Sequence, residues 1–212
     1  MPIKLLAHRG LWFEREERNT LAALFCGLDR GYGLETDIRD LNGELAISHD
    51  LPDTASAIPV AQLLRYYTDG GFTSTLGLNI KSDGLQDKLF HQLEAHKLKN
   101  YFVFDMSIPD TVGYLKRSLT TFIRRSELEH HPELALRAQG IWLDELLAPW
   151  IDSKIIVAQA ALANAICIVS GEIHGRGYAD QWAHIARAVD AGCNAVPLSD
   201  RRRNVSSIFS WS

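Results

Sequence analysis

The alternation of short apolar runs with helix-like segments is the feature that most limits the fold of this chain. Runs rich in β-branched and apolar residues predict eight strands, which are IKLLAH, LETDIR, TLGLNI, YFVFDM, TTFIRR, GIWLDE, ICIVSG and AVPLSD. Segments with helical periodicity separate most of them. Such alternation is typical of parallel strands joined by right-handed crossovers. We therefore predict an α/β protein built as a compact (β/α)8 TIM barrel, with a doubly wound sheet as the alternative.

One segment departs from this alternation. In LETDIRDLNGELAISHD a strand runs into Asn42 and Gly43, a strong hairpin signal, and the alternating run ELAIS then returns to His49. This pattern predicts a small β-hairpin insertion after the second strand, which brings His49 back toward the end of that strand. Because no linker, low-complexity tract or short repeat interrupts the sequence, we predict a single domain over residues 1–212.

The composition narrows the functional class. The 212 residues are 46% hydrophobic and 23% charged, which is enough apolar material for a large core. A net charge of −4 and a pI near 6.0 argue against nucleic acid as the main partner. Three widely spaced cysteines in apolar surroundings favour reduced thiols. No apolar run resembles a signal peptide or approaches the roughly 20 residues that span a bilayer, so we predict a cytoplasmic protein without an integral membrane segment.

Polar residues recur at the ends of the predicted strands. In a parallel barrel these ends form one rim, where active sites are assembled from side chains far apart in sequence. The polar residues at or just beyond strand ends are His8, Glu35, Asp37, Asn79, Lys81, Asp105, Arg124, Arg125, Asp144, Glu172 and Asp200. The loop SGEIHGRG after the seventh strand carries Glu172 between glycines, and we predict that it contacts the substrate.

Glu35 and Asp37 are the most informative pair among these residues. Side chains two positions apart in a strand share a face, so the two carboxylates repel each other unless positive charge lies between them. One Mg²⁺ or Ca²⁺ ion would supply that charge, because both cations prefer oxygen ligands. In the alternative reading, which is structural, one carboxylate pairs with Arg9 or Lys81 and the other faces water.

Several motifs occur in an order that resembles a known family. AHRG follows the first strand, NT opens the next helix, and ETDIRDLNGELAISHD and LNIK follow. Together they resemble the motifs of the glycerophosphodiester phosphodiesterases, within the phosphatidylinositol phospholipase C-like barrels. The resemblance is most specific over residues 7 to 81. It implies a TIM barrel that hydrolyses a small-molecule glycerophosphodiester to a phosphomonoester and an alcohol, an activity of lipid metabolism.

The resemblance also implies roles for individual residues. His8 and His49 match the catalytic histidines of the family, although the sequence leaves open which is acid and which is base. Glu35 and Asp37 match its metal-binding pair. Two histidines that titrate near neutral pH can accept and donate the protons that phosphodiester cleavage requires. Positive charge on Arg9 would offset charge on the phosphoryl oxygens, and Lys81 has the same expected role.

Two positions depart from the family pattern. Asn79 stands where the family usually has a third carboxylate ligand, and its amide oxygen can still coordinate the cation but adds no charge. Asp83 lies nearby in the sequence and is an alternative ligand. Arg18 precedes NT where the family commonly has glutamate. These departures leave open a catalytically weak barrel that binds phosphorylated ligands without turnover, and a third reading is a metal-dependent aldolase or isomerase.

Overall fold

The computed structural model describes residues 4–54 and 57–169, the backbone of Ser207–Trp211, and isolated positions between residues 170 and 206. Its strands, numbered along the chain, are β1 Lys4–His8, β2 Gly33–Leu41, β3 Glu44–Ile47, β4 Ile58–Pro59, β5 Leu76–Ile80, β6 Tyr101–Phe104, β7 Phe122–Arg125, β8 Gly140–Leu143, β9 Ala165–Ile168 and β10 Ser207–Trp211. Its helices are α1 Leu21–Asp29, α2 Val60–Asp69, α3 Gln86–Ala95, α4 Ile108–Lys116, α5 Pro132–Ala135 and α6 Ser153–Ala160. The mixed α/β fold predicted from the sequence is therefore confirmed.

The chain divides into two compact units. The N-terminal unit is Ala7–Thr121, and the C-terminal unit is Met1–Leu6 with Phe122–Ser212. In the N-terminal unit β2 pairs in parallel with β5 and β5 with β6, while β3 runs antiparallel to β2 and to β4. In the C-terminal unit β7, β8 and β9 are parallel, and β10 is antiparallel to β9. The closure of eight strands into one barrel and the single domain stay predictions.

Most strand predictions are confirmed. Seven of the eight predicted strands correspond to β1, β2 and β5 to β9, and the eighth, AVPLSD, lies outside the described residues. The hairpin insertion is also confirmed, because β2 and β3 meet at Asn42 (φ 52°) and Gly43 (φ 85°), as a tight turn with two left-handed residues requires. The structure contains three further elements, β4, β10 and α6, that the sequence pattern did not predict. Asp152 caps α6 by accepting a hydrogen bond from the Ile155 amide at 2.8 Å.

The helices of the N-terminal unit bury one stripe against the sheet. In α2 the buried residues Val60, Leu63, Leu64 and Tyr67 follow the three- and four-residue spacing of one helical face. All five residues of β5 are buried, as expected for a parallel strand covered on both faces. Within the part of the chain that the structure describes, no helix is long and apolar enough to cross a membrane.

A tight turn fixes the segment that leaves β1. Gly10 has a φ of +87°, and a Cβ built there would lie 2.6 Å from the carbonyl carbon of Ala23. The backbone amide of Leu11 donates to the Ala23 carbonyl at 2.8 Å, and that of Arg9 donates to the Glu35 carbonyl at 2.9 Å. The turn is thereby tied to both α1 and β2, which sets the positions of the residues that precede it.

We expect Gly10→Ala to destabilise the protein more than Gly31→Ala. Both glycines have positive φ, so each substitution costs about 1–2 kcal/mol in backbone strain. A Cβ at Gly31 meets nothing within 4 Å, whereas a Cβ at Gly10 meets the backbone of α1. Urea unfolding should therefore show an additional loss of about 1–3 kcal/mol for Gly10→Ala. Equal losses in the two variants would contradict this account of the turn.

Candidate active site

The centre of the candidate site is a buried polar cluster on β2 and β5. Glu35 and Asp37 are 1% and 0% exposed, respectively. Asn79 is the register partner of Asp37 on the neighbouring strand, and its side-chain amide donates to Glu35 Oε1 at 3.2 Å. The structure thus brings together the three side chains that the sequence predicted as metal ligands.

Two cations flank Asp37. Arg9 Nε lies 2.8 Å from Asp37 Oδ2, and Lys81 Nζ lies 3.7 Å from Asp37 Oδ1. Lys81 also donates to Asp105 Oδ2 at 2.8 Å. One carboxylate does pair with Arg9 and Lys81, as the structural alternative proposed, but the other does not face water, because Glu35 is as buried as Asp37.

Asn19 is a further member of this cluster, although the sequence did not predict it as a site residue. Its side-chain amide donates to Asp37 Oδ2 at 2.8 Å, and its Oδ1 accepts from the Thr36 hydroxyl at 2.8 Å. The backbone of Asn19 has a φ of 61°, and its backbone amide donates to the Arg9 carbonyl at 2.9 Å. The motif NT was the sequence feature that pointed to Asn19. Thr20 caps α1, so the Asn19 side chain is not needed for capping.

Of the two predicted catalytic histidines, His8 lies beside the buried cluster, and His49 follows Ser48, whose backbone amide donates to the Asp37 carbonyl at 3.1 Å. His8 Nε2 lies 3.7 Å from Glu35 Oε2, beyond hydrogen-bonding distance. Burial, followed by the charges of Arg9, Arg18, Lys81 and His49, holds the pKa of His8 well below its usual value. His8 is therefore neutral at pH 7. His49 is half exposed, and its Nδ1 lies 2.9 Å from Asp50 Oδ1.

Burial changes the charge state of the carboxylate pair. Desolvation, followed by the charge of Asp37, raises the pKa of Glu35 to about 8, while Arg9, Asn79 and Lys81 partly offset the shift. Without further positive charge, the folded protein therefore keeps a proton on this pair at pH 7.

The donor set fits a hard divalent cation. Asp37 Oδ1 and Asn79 Oδ1 are buried and have no hydrogen-bond partner, an arrangement that costs about 1–3 kcal/mol for each such group. Both are oxygens, as is the carboxylate of Glu35, and Mg²⁺ and Ca²⁺ prefer such ligands. Within the described residues there is no metal-binding group of three or more His, Cys, Asp or Glu. A site here therefore needs the amide oxygen of Asn79.

Asp83 lies in a different polar cluster. It accepts a hydrogen bond from the Ser107 hydroxyl at 3.0 Å, and Ser107 caps α4. The structure therefore offers Asn79, and not Asp83, as the partner of the two carboxylates.

The remaining strand-end residues belong to the C-terminal unit or lie outside the described residues. Arg124 forms a two-pronged ion pair with Glu129, and Arg125 stacks over Trp150 at 4.7 Å. The Asp144 carboxylate accepts from the Glu145 amide at 2.8 Å. These contacts support local structure. The predicted substrate contact Glu172 and the strand-end Asp200 lie outside the described residues.

Comparison with solved structures identifies the fold. A candidate glycerophosphodiester phosphodiesterase from Galdieria sulphuraria matches 92% of this chain and 92% of its own, with a TM-score of 0.70 and 15% identity. A phosphodiesterase from Oleispira antarctica, in complex with the product sn-glycerol-3-phosphate, matches 91% of each chain, with a TM-score of 0.67 and 15% identity. The chain has the fold of the glycerophosphodiester phosphodiesterases.

A third solved structure agrees with this assignment. A glycerophosphodiester phosphodiesterase from Agrobacterium tumefaciens matches 93% of this chain and 96% of its own, with a TM-score of 0.65 and 17% identity. No protein-family model and no curated protein sequence matches the chain. The resemblance read from AHRG, ETDIRDLNGELAISHD and LNIK is thus confirmed at the level of the fold.

We expect the metal-free protein to lose stability as the pH rises from about 6.5 to about 8, the raised pKa of Glu35. In this range the folded state still binds a proton at Glu35, whose pKa is raised to about 8, while the unfolded chain has already released it. The free energy of unfolding must then fall with pH. His8 does not contribute here, because its lowered pKa affects stability only below about pH 6.5.

The measurement is urea unfolding in EDTA across this pH range. Glu35→Gln should remove the fall, since glutamine does not titrate. If the free energy of unfolding falls with pH equally in the parent protein and in Glu35→Gln, then Glu35 is not the cause of the fall.

Proposed function

We propose that this protein is a metal-dependent phosphodiesterase that hydrolyses a glycerophosphodiester-like substrate to a phosphomonoester and an alcohol. The observation that carries the proposal is the position of His8 beside buried Glu35 and Asp37, in a cluster where the Asp37 and Asn79 side-chain oxygens lack hydrogen-bond partners. The shared fold supports it. We propose further that the strands of both units complete a TIM barrel, as in the sequence prediction.

The two histidines would carry out the proton transfers. Hydrolysis of a phosphodiester requires one group to accept a proton from the attacking hydroxyl or water and another to donate a proton to the leaving alkoxide. His8 is neutral, so its ring can accept a proton. His49 is half exposed and is oriented by Asp50, and it is the candidate donor. An attacking hydroxyl of the substrate next to the phosphate would first give a cyclic phosphate.

The charged residues would hold the phosphate and stabilise the charge that develops on it. A bound Mg²⁺ or Ca²⁺ ion, held by Glu35, Asp37 and Asn79, would supply positive charge at the phosphoryl oxygens. Arg9 presents a planar guanidinium suited to two phosphate oxygens at once. Lys81 adds a point charge beside it. Glu172 remains our predicted contact to the rest of the substrate.

The second candidate function is binding of phosphorylated ligands without turnover. Asn79 favours it, because the amide supplies no charge and already donates to Glu35. Bis-p-nitrophenyl phosphate with Mg²⁺ or Ca²⁺ separates the two functions. Release of p-nitrophenol that EDTA abolishes supports the phosphodiesterase, and ligand binding without release supports the alternative.

We expect His8→Ala and His49→Ala each to lower kcat by about 100-fold or more, because a proton donor and a proton acceptor act in the same reaction. Steady-state kinetics should also show a bell-shaped dependence of the parent rate on pH. His91→Ala is a suitable control, since His91 lies on the exposed side of α3. Near-normal kcat in either catalytic variant would falsify its assigned role.

We expect Asn79→Asp to tighten binding of Mg²⁺ or Ca²⁺ by about tenfold, because it adds a negative ligand to a site with two carboxylates. In the absence of metal the same change should destabilise the fold, since three carboxylates then repel one another. Calorimetry and urea unfolding measure the two effects. Asp83→Asn is the matched control, and its metal affinity should equal that of the parent. Unchanged affinity in Asn79→Asp would remove Asn79 from the ligand set.

A further inference from the structure

Arg18 is held at the edge of the candidate site by contacts that the proposed reaction does not use. Its guanidinium lies 5.6 Å from the centre of the Trp12 ring, and the Trp12 indole N–H donates to the His8 carbonyl at 2.9 Å. The next residue, Asn19, donates to Asp37. Arg18 is therefore linked to the site on two sides, through Trp12 to His8 and through the chain to Asn19.

Among the residues that the structure describes, Arg18 forms no ion pair with a carboxylate. Its Nε donates to the Arg15 carbonyl at 2.8 Å, which leaves the donors on its two terminal nitrogens for another partner. No carboxylate in the part of the chain that the structure describes lies within 4.0 Å of this guanidinium. The nearby Glu17 carboxylate instead accepts from the backbone amides of Phe13 and Glu14.

The Arg18 charge also acts at the site. After burial and Arg9, it is the next largest cause of the lowered pKa of His8, ahead of Lys81. The guanidinium thus lies within electrostatic range of the ring that we assign to proton transfer.

We propose that Arg18 determines substrate specificity by binding a second anionic group, so that the preferred substrate is a phosphodiester that carries a further phosphate or carboxylate. This inference rests on the proposed function, in which Arg9 and Lys81 hold the phosphate that is cleaved. Arg18 is separate from that pair and presents its own planar set of donors, which suits the two oxygens of a carboxylate or phosphate. Stacking on Trp12 limits the side-chain entropy that is lost on binding.

The first test compares kcat/KM for glycerophosphoglycerol and for its phosphate monoester, which differ by one anionic group. The parent protein should prefer the phosphorylated diester. Arg18→Gln should reduce that preference about tenfold, and Arg18→Lys should retain part of it. Arg30→Gln is the matched control, because it removes the same charge at the other end of α1, about 13 Å along the helix.

The second test measures binding without turnover. Calorimetry compares the affinity of the protein for glycerol 1,3-bisphosphate with its affinity for sn-glycerol 3-phosphate. The parent and Arg30→Gln should prefer the bisphosphate, and Arg18→Gln should lose that preference. Binding preference without any turnover of diesters would contradict the proposed function and support the role of Arg18. The role is overturned by equal ratios in the parent and Arg18→Gln in both tests, or by an equal loss in Arg30→Gln.

Discussion

The burial of Glu35 and Asp37 side by side on β2 is the constraint on which the rest of the N-terminal unit depends. Two desolvated carboxylates are unfavourable unless donors and positive charges surround them. Those groups come from different segments: Arg9 from the turn after β1, Asn19 from the turn before α1, and Lys81 from the residue that follows β5. The contacts that stabilise the two carboxylates therefore also fix the turn after β1, the turn before α1 and the end of β5 against β2.

The backbone around the pair is strained in a way that these contacts explain. Arg9 and Asn19 both have positive φ, which costs about 1–3 kcal/mol at a residue other than glycine. The Asn19 amide donates to the Arg9 carbonyl, and both side chains reach Asp37 Oδ2. Local preference alone would not give this conformation. Both left-handed residues bring a side-chain donor to the same carboxylate oxygen, and these contacts offset the backbone strain.

The sequence predicts those side-chain positions that follow the two-residue alternation of a β-strand. Strand alternation placed Glu35 and Asp37 together correctly, because residues two apart in a strand share a face. Asp83 was an alternative ligand suggested only by its nearness in the sequence. β5 ends at Ile80, and beyond it the Asp83 carboxylate accepts a hydrogen bond from the Ser107 hydroxyl. The bond from Thr36 to Asn19 could not be predicted, since it joins residues 17 apart through a left-handed turn with no periodic signal.

The burial of each charged group suits two opposed requirements of the proposed reaction, which are binding of a metal cation and binding of an anionic substrate. The carboxylates are fully buried, Arg9 and Lys81 are partly exposed, and His49 is half exposed. A cation needs concentrated negative charge, whereas an anionic diester is repelled by it. Because Arg9 and Lys81 lie nearer to solvent than the carboxylates, their attraction acts on an approaching phosphate before the repulsion by the carboxylates does. Asn79 serves the same balance. In the proposed metal site its neutral amide would offer an oxygen to the cation. In this structure the amide donates to Glu35 and adds no third repelling charge.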